Sequence, residues 1–373
     1  MKIFKKILIL TAVFFSLSQT AVLALDDVSA QSAILIEQST GDVLYEKNSH
    51  QRMSMASTTK IMTALCAIES GDLSRTVEVH PDACGVEGSS IYLQAGDRLT
   101  MEALLYSLML ESANDAAAAI AYEVSGSIDD FARRMNETAA KFGLSDTHFT
   151  NPHGLDDEQH YTTAADLAVI ASHAIGNDIF AKTVSSRKQT VAITHKDGET
   201  VERVLLNHNK LLRLSEDVTG VKTGFTKHSG RCLVSSACRN GVGVIAVTLN
   251  APDDWNDHLS LHELGFASRT CYTLAEPGEF TVQLPCPTAH DGVVTACNRD
   301  GLSFVRENGL DITHTVEADR LLMPPVREGQ KVGRVVFYAS GAEIGEVPLY
   351  SCESVSEPTD TRSAGQKILD LFR

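Results

Sequence analysis

An Asn240-Gly241 pair separates two apolar-rich runs, residues 231–238 and 242–249, and this feature most narrows the folds open to the chain. Both central residues of a tight type I′ turn need positive φ, which Asn and Gly tolerate, so the pair predicts an antiparallel hairpin. A second hairpin is predicted near the start, where residues 32–37 and 42–46 flank Ser39-Thr40-Gly41. Helical patterns lie between. Ile61, Met62, Leu65 and Ile68 recur at steps of three and four before Gly71, and Thr100 stands as a cap before Leu104, Leu105, Leu108 and Met109. An alanine-rich run follows from about Asp115 to Gly126, and a further helix is predicted over residues 255–268. Strand signals at both ends of this region, with helices between, predict an α+β domain in which one antiparallel sheet is covered by helices.

After Cys271 the pattern changes. Pro277-Gly278, Pro285 and Pro287 punctuate short strand-like runs at 280–284, 331–338 and 343–349, which read as a small C-terminal all-β domain. The predicted division is a leader at 1–24, a catalytic domain at 25–273, a β-rich domain at 274–355 and a tail at 356–373. Lys2, Lys5 and Lys6, the apolar stretch 7–17 and the small-residue site Val22-Leu23-Ala24 give the leader the form of a secretory signal, and the stretch is too short to span a membrane. The chain is therefore expected to be exported and to work outside the cytoplasm. Residues 366–373 are faintly amphipathic, enough for weak association with a membrane surface. With 32 Lys and Arg against 48 Asp and Glu, the formal charge of −16 opposes tracking along a polyphosphate backbone, so nucleic acid is not an expected partner. The eight cysteines include no Cys-x-x-Cys, and their even number does not tell four bridges from eight thiols.

Three short motifs could carry chemistry. Ser57-Thr58-Thr59-Lys60 stands where an irregular segment enters a helix, and a Ser and Lys three apart share a helix face, so the amine can reach the hydroxyl. A serine needs a neighbouring base to become a nucleophile, and a lysine serves only if burial or another cation lowers its pKa. The pattern alone is weak, because Ser185-Ser-Arg-Lys188 repeats it in a polar stretch. Ser112-Ala113-Asn114 lies at a break between two helices. Lys222-Thr223-Gly224 leads into the second hairpin, with Gly220 and Gly224 permitting another backbone to lie along the strand edge. A phosphate loop is excluded, since Val221 separates Gly220 from Lys222. A zinc site at His258, His262 and Glu263 fits neither spacing of the helical zinc peptidase motifs, and His148, His153 and His160 are given no role.

In this order and setting the three motifs resemble those of the penicillin-interacting serine enzymes. Glu87-Gly-Ser-Ser-Ile-Tyr-Leu93, Asn151-Pro-His-Gly-Leu155, Thr162-Thr-Ala-Ala-Asp166 and Gly220-Val-Lys-Thr-Gly-Phe-Thr226 further resemble blocks of the low-molecular-weight D-alanyl-D-alanine carboxypeptidases, in particular the sporulation-type members of Gram-positive bacteria. The resemblance spans about residues 28–352. It implies a penicillin-binding, β-lactamase-like transpeptidase fold followed by the β-rich domain. It implies Ser57 as the acylated nucleophile, Lys60 as its base and Ser112 as proton relay. Asn114, Lys222, Thr223, Gly224 and Phe225 would bind substrate, with the N–H groups of Ser57 and Phe225 forming the oxyanion hole. No metal or organic cofactor is implied, the partners being peptidoglycan stem peptides and, as covalent inhibitors, β-lactams. Residues 252–258 lack an arginine that several relatives carry there for the substrate carboxylate, and Thr226, Lys227 and Arg231 are the substitutes at hand. The other readings are a β-lactamase, a D,D-endopeptidase and a non-catalytic wall-binding module; Ala113, where the common β-lactamase form has Asp, weighs against the first.

Overall fold

The two predicted hairpins meet in one five-stranded antiparallel sheet in the computed structural model, which describes residues 28–357. The leader at 1–24 and the tail from 358 lie outside the described residues. Strand Ser32–Glu37 pairs with Val43–Lys47 on one side and Val242–Leu249 on the other, followed by Gly230–Arg239 and, at the far edge, Val218–Thr226. Asn240 and Gly241 take φ of 51° and 80°, as the hairpin turn requires.

Both faces of this sheet are covered. Ile34 and Ile36 enter one core with the helices Lys60–Glu69, Met101–Leu110, Asn114–Ser125 and Ala164–Ile175, whereas Ala33 and Leu35 enter a second core with Leu261 of helix Asp254–Ser268. Alternate side chains of one strand therefore serve opposite cores, which is why the strand reads Ala-Ile-Leu-Ile without polar alternation. Local signals set the helix ends: Thr100 Oγ1 accepts from the Ala103 N–H at 3.1 Å, and Gly126 closes Asn114–Ser125 with φ of 81°.

One region departs from the sequence reading. The helical middle also holds a four-stranded sheet of Thr76–Glu78, Arg98–Thr100, Lys188–Thr194 and Thr200–Leu206. Its first two strands are three residues long and its hairpin is half exposed, with apolar runs of no more than three residues, Val191-Ala192-Ile193 and Val204-Leu205-Leu206. Beyond helix Asp254–Ser268, strand Arg269–Ala275 pairs with Leu302–Glu307, and a separate five-stranded sheet is built from Thr281–Pro285, Val293–Asn298, Ala342–Ser351, Lys331–Ala339 and Ile312–Ala318. Strand Arg269–Ala275 crosses position 273: Cys271 packs on the second core, while Leu274 and Ala275 belong to the core of the β-sheet region. All eight cysteines are unbridged, with Cys66, Cys232 and Cys286 buried. Among the described residues no helix is long and apolar enough to cross a membrane.

Candidate active site

Ser57 sits in the 3-10 turn Ala56–Thr59, which runs directly into helix Lys60–Glu69. Ala56 is held at φ of 46°, a conformation that costs a residue with a β-carbon about 1–2 kcal/mol. A chain of bonds offsets this. Thr58 Oγ1 donates to the Met55 carbonyl at 2.6 Å and Thr59 Oγ1 to that of Ala56 at 2.8 Å. His160 accepts from the Thr150 N–H at Nδ1, so its proton sits on Nε2 and is donated to Thr59 Oγ1 at 2.8 Å. Burial brings the His160 pKa down to about 4, which keeps this neutral tautomer. The loop 151–155 closes over the same turn: Asn151 Oδ1 accepts from the Gly154 N–H, and a β-carbon at Gly154 would fall 1.9 Å from the Ala56 oxygen.

Lys60 is fully buried, and its Nζ lies 3.0 Å from Ser57 Oγ, 2.6 Å from Asn114 Oδ1 and 2.6 Å from the His153 carbonyl. Asn114 Nδ2 donates to the Glu87 carbonyl, which fixes the amide so that Oδ1 faces the lysine. Burial first, and then repulsion from Lys222, hold the Lys60 pKa well below its usual value, with Asp115 pulling the other way. A neutral amine has two N–H bonds and one lone pair. Two of its neighbours, an amide oxygen and a peptide carbonyl, only accept; they take both N–H groups and leave the lone pair to the Ser57 hydroxyl.

The break between helices Met101–Leu110 and Asn114–Ser125 places Ser112, at φ of 58°, against the same cleft. The buried Asp115 carboxylate ties down the loop ahead of it, accepting from Ser90 Oγ and the N–H groups of Ile91 and Leu93. Gly88 is required beneath Asn114, because a β-carbon would lie 2.8 Å from its Nδ2. On the opposite wall, edge strand Val218–Thr226 brings Thr223, Gly224 and Phe225 to the cleft and buries Lys222, whose Nζ donates to the Thr223 carbonyl at 3.0 Å. Burial lowers the Lys222 pKa to about 7. At Gly224 a β-carbon would meet the Ser57 nitrogen at 3.1 Å, so glycine there lets the strand lie against the Ser57 backbone.

The cleft, about 330 Å³, thus joins Ser57, Ser112, Thr223, Gly224 and Phe225, with Lys60 and Lys222 packed beneath the surface. Ser89, from the Glu87–Leu93 block, also lines it, as do four residues that no motif marked: His208, Lys210, Asp254 and Trp255. Arg231 lines it too, whereas Thr226 is taken up by Asp156 and Ser229. The second Ser-x-x-Lys is no site, since Ser185 ends one helix and Lys188 begins an exposed strand. His258 has both ring nitrogens engaged, Nδ1 with Ser235 Oγ and Nε2 with Thr248 Oγ1, and so braces the last helix.

Comparison with known proteins places the chain in a family. Residues 18–253 match the family model described as D-alanyl-D-alanine carboxypeptidase, and residues 299–357 match that of the penicillin-binding protein 5 C-terminal domain. The D-alanyl-D-alanine carboxypeptidase DacF of Bacillus subtilis is 29% identical over 339 residues, covering 88% of this chain and 86% of its own. Among solved structures, penicillin-binding protein 5 from Haemophilus influenzae aligns at a TM-score of 0.64 and 27% identity, over 90% of this chain and 100% of that one. The Streptomyces K15 DD-transpeptidase aligns at 0.63 and 32% identity over 65% of this chain and 98% of its own. The chain belongs to the D-alanyl-D-alanine carboxypeptidase family, peptidase family S11, the low-molecular-weight penicillin-binding proteins.

Proposed function

We propose that this protein is a serine D-alanyl-D-alanine carboxypeptidase that removes the terminal D-alanine from peptidoglycan pentapeptide stems through an acyl-enzyme on Ser57. The observation that carries the reading is the buried Lys60 amine, held by two obligate acceptors, Asn114 Oδ1 and the His153 carbonyl, with its Nζ 3.0 Å from Ser57 Oγ. As Oγ attacks the penultimate D-alanine carbonyl, its proton passes to Lys60 Nζ. The N–H groups of Ser57 and Phe225 hold the developing oxyanion. Collapse expels the terminal D-alanine, whose amine takes its proton through Ser112 from Lys60. Water then attacks the ester with Lys60 again as base, giving the shortened stem and free Ser57. Asn114 orients the substrate amide. Lys222 and Thr223 hold the substrate carboxylate, and Lys222 also keeps the Lys60 amine neutral by like-charge repulsion.

A β-lactam carries its own strained amide into the same position and leaves a stable ester on Ser57. We assign export to the leader at 1–24, catalysis to 25–273, a supporting role to 274–355, and wall maturation of the sporulation type as the setting. The test is D-alanine release from a diacyl-L-Lys-D-Ala-D-Ala peptide. Wild type is expected to release D-alanine with multiple turnovers, and Ser57→Ala to lose at least about 10³-fold in rate. A wild type that releases none, or a Ser57→Ala that keeps its rate, overturns the proposal.

A further inference from the structure

The wall of the cleft formed by His208, Lys210, Arg231, Asp254 and Trp255 is used by none of the steps above. Arg231, on strand Gly230–Arg239, donates from Nε and Nη2 to Asp254 Oδ1 at 3.0 and 2.7 Å. The Asp254 side chain is only 3% exposed, and the guanidinium carbon lies 5.4 Å from the centre of the Trp255 ring. A buried carboxylate at the first turn of helix Asp254–Ser268 and an indole therefore fix this guanidinium in place. Both bonds end on one oxygen. Nη1 has no hydrogen-bond partner among the described residues, and the side chain is 40% exposed, so its free edge is open to the cleft.

Lys210 approaches the same ring, with Nζ 6.0 Å from the ring centre and no acid paired to it among the described residues. His208 is faced by Glu111 at 3.2 Å, while burial and Lys222 disfavour its charged form. Asp254 balances Arg231, and Lys210 stands uncompensated at this wall, inside a chain of formal charge −16. The stretch 252–258, which has no arginine, instead supplies the acid and the indole that orient an arginine from the neighbouring strand.

We propose that Arg231 and Lys210, gathered over Trp255, join Lys222 and Thr223 in binding the free C-terminal carboxylate of the substrate and so select a chain end over an internal peptide bond. Arg231 acts as an oriented donor through Nη1, and Lys210 as a mobile second charge. Asp254 and Trp255 are positioning residues that act through Arg231. The inference rests on the carboxypeptidase reading and adds to it the group that makes the cut exopeptidic.

The test compares two substrates, a diacyl-L-Lys-D-Ala-D-Ala peptide and the same peptide ending in the C-terminal amide. Wild type is expected to favour the acid by at least about tenfold in kcat/KM, the scale of one charge-assisted hydrogen bond. Arg231→Gln is expected to cost the acid substrate about tenfold, mainly in KM, and to change the amide by less than about threefold. Arg231→Lys keeps the charge without the fork and should fall between. Lys210→Met, at an exposed position that does not threaten folding, should cost the acid substrate alone about threefold. Variants that slow both substrates equally, or neither, overturn the proposal and make the cluster a structural brace while leaving the carboxypeptidase reading intact. Should Arg231→Gln fail to fold, Arg231→Lys and Lys210→Met decide by the same ratio. A wild type that processes neither substrate removes the carboxypeptidase reading and the proposal with it.

Discussion

Burial makes Lys60 both costly and useful. A wholly buried ammonium is strongly disfavoured, so the folded protein holds the amine in the form that accepts a proton. Lys222 reinforces this from beside it. Replacing Lys222 by Met removes the like charge, so the Lys60 pKa should rise and the acid limb of benzylpenicillin acylation against pH should move to higher pH. A limb that stays in place would show that Lys222 does not tune the base. The residue scale also shows where sequence reading stops. Ser57, Lys60, Ser112, Asn114 and Lys222 were marked by motif spacing and come together in the structure. Arg231, Asp254 and Trp255 carry no fixed spacing; a hairpin edge and the start of a helix bring them together, and only the absence of an arginine at 252–258 pointed their way.

At the scale of elements, boundaries were legible wherever a cap or turn residue set them, as at Thr100, Gly126 and Asn240-Gly241. The hairpin of Lys188–Thr194 and Thr200–Leu206 escaped notice because its faces are half exposed and its residues mixed. Helix Asp254–Ser268, which carries Asp254 and Trp255 to the cleft, is docked by a buried network in which Ser235 Oγ lies 2.6 Å from His258 Nδ1 and 2.7 Å from His262 Nε2. Burial lowers the His262 pKa to about 4, against Asp217 and Glu263 which favour its charged form, and places that of His258 well below the usual value. Both imidazoles are thus neutral in the fold, whereas an unfolded chain takes up protons below about pH 6.5. Stability from this network is full above that pH and declines as pH falls towards about 4, by roughly 3 kcal/mol for His262. Melting temperature should therefore drop between pH 7.5 and 5, and His262→Gln should lower it at pH 7.5 while flattening the decline. Parallel declines in wild type and variant would exclude His262 as a source.

Over the whole molecule, the α+β class followed from strands at both ends of a helical middle, and the closed-over sheet explains why those strands are apolar on both faces. Strand Arg269–Ala275 links the two parts, feeding one core with Cys271 and another with Leu274. The fold's main work is convergence: a turn at 57, a helix break at 112 and an edge strand at 222 meet in one cleft. Intact mass of the purified protein before and after benzylpenicillin, for wild type and Ser57→Ala, tests that convergence most directly. The account predicts one penicilloyl adduct on wild type, stable over the measurement, and none on Ser57→Ala; no adduct on wild type, or an adduct that survives Ser57→Ala, would contradict it.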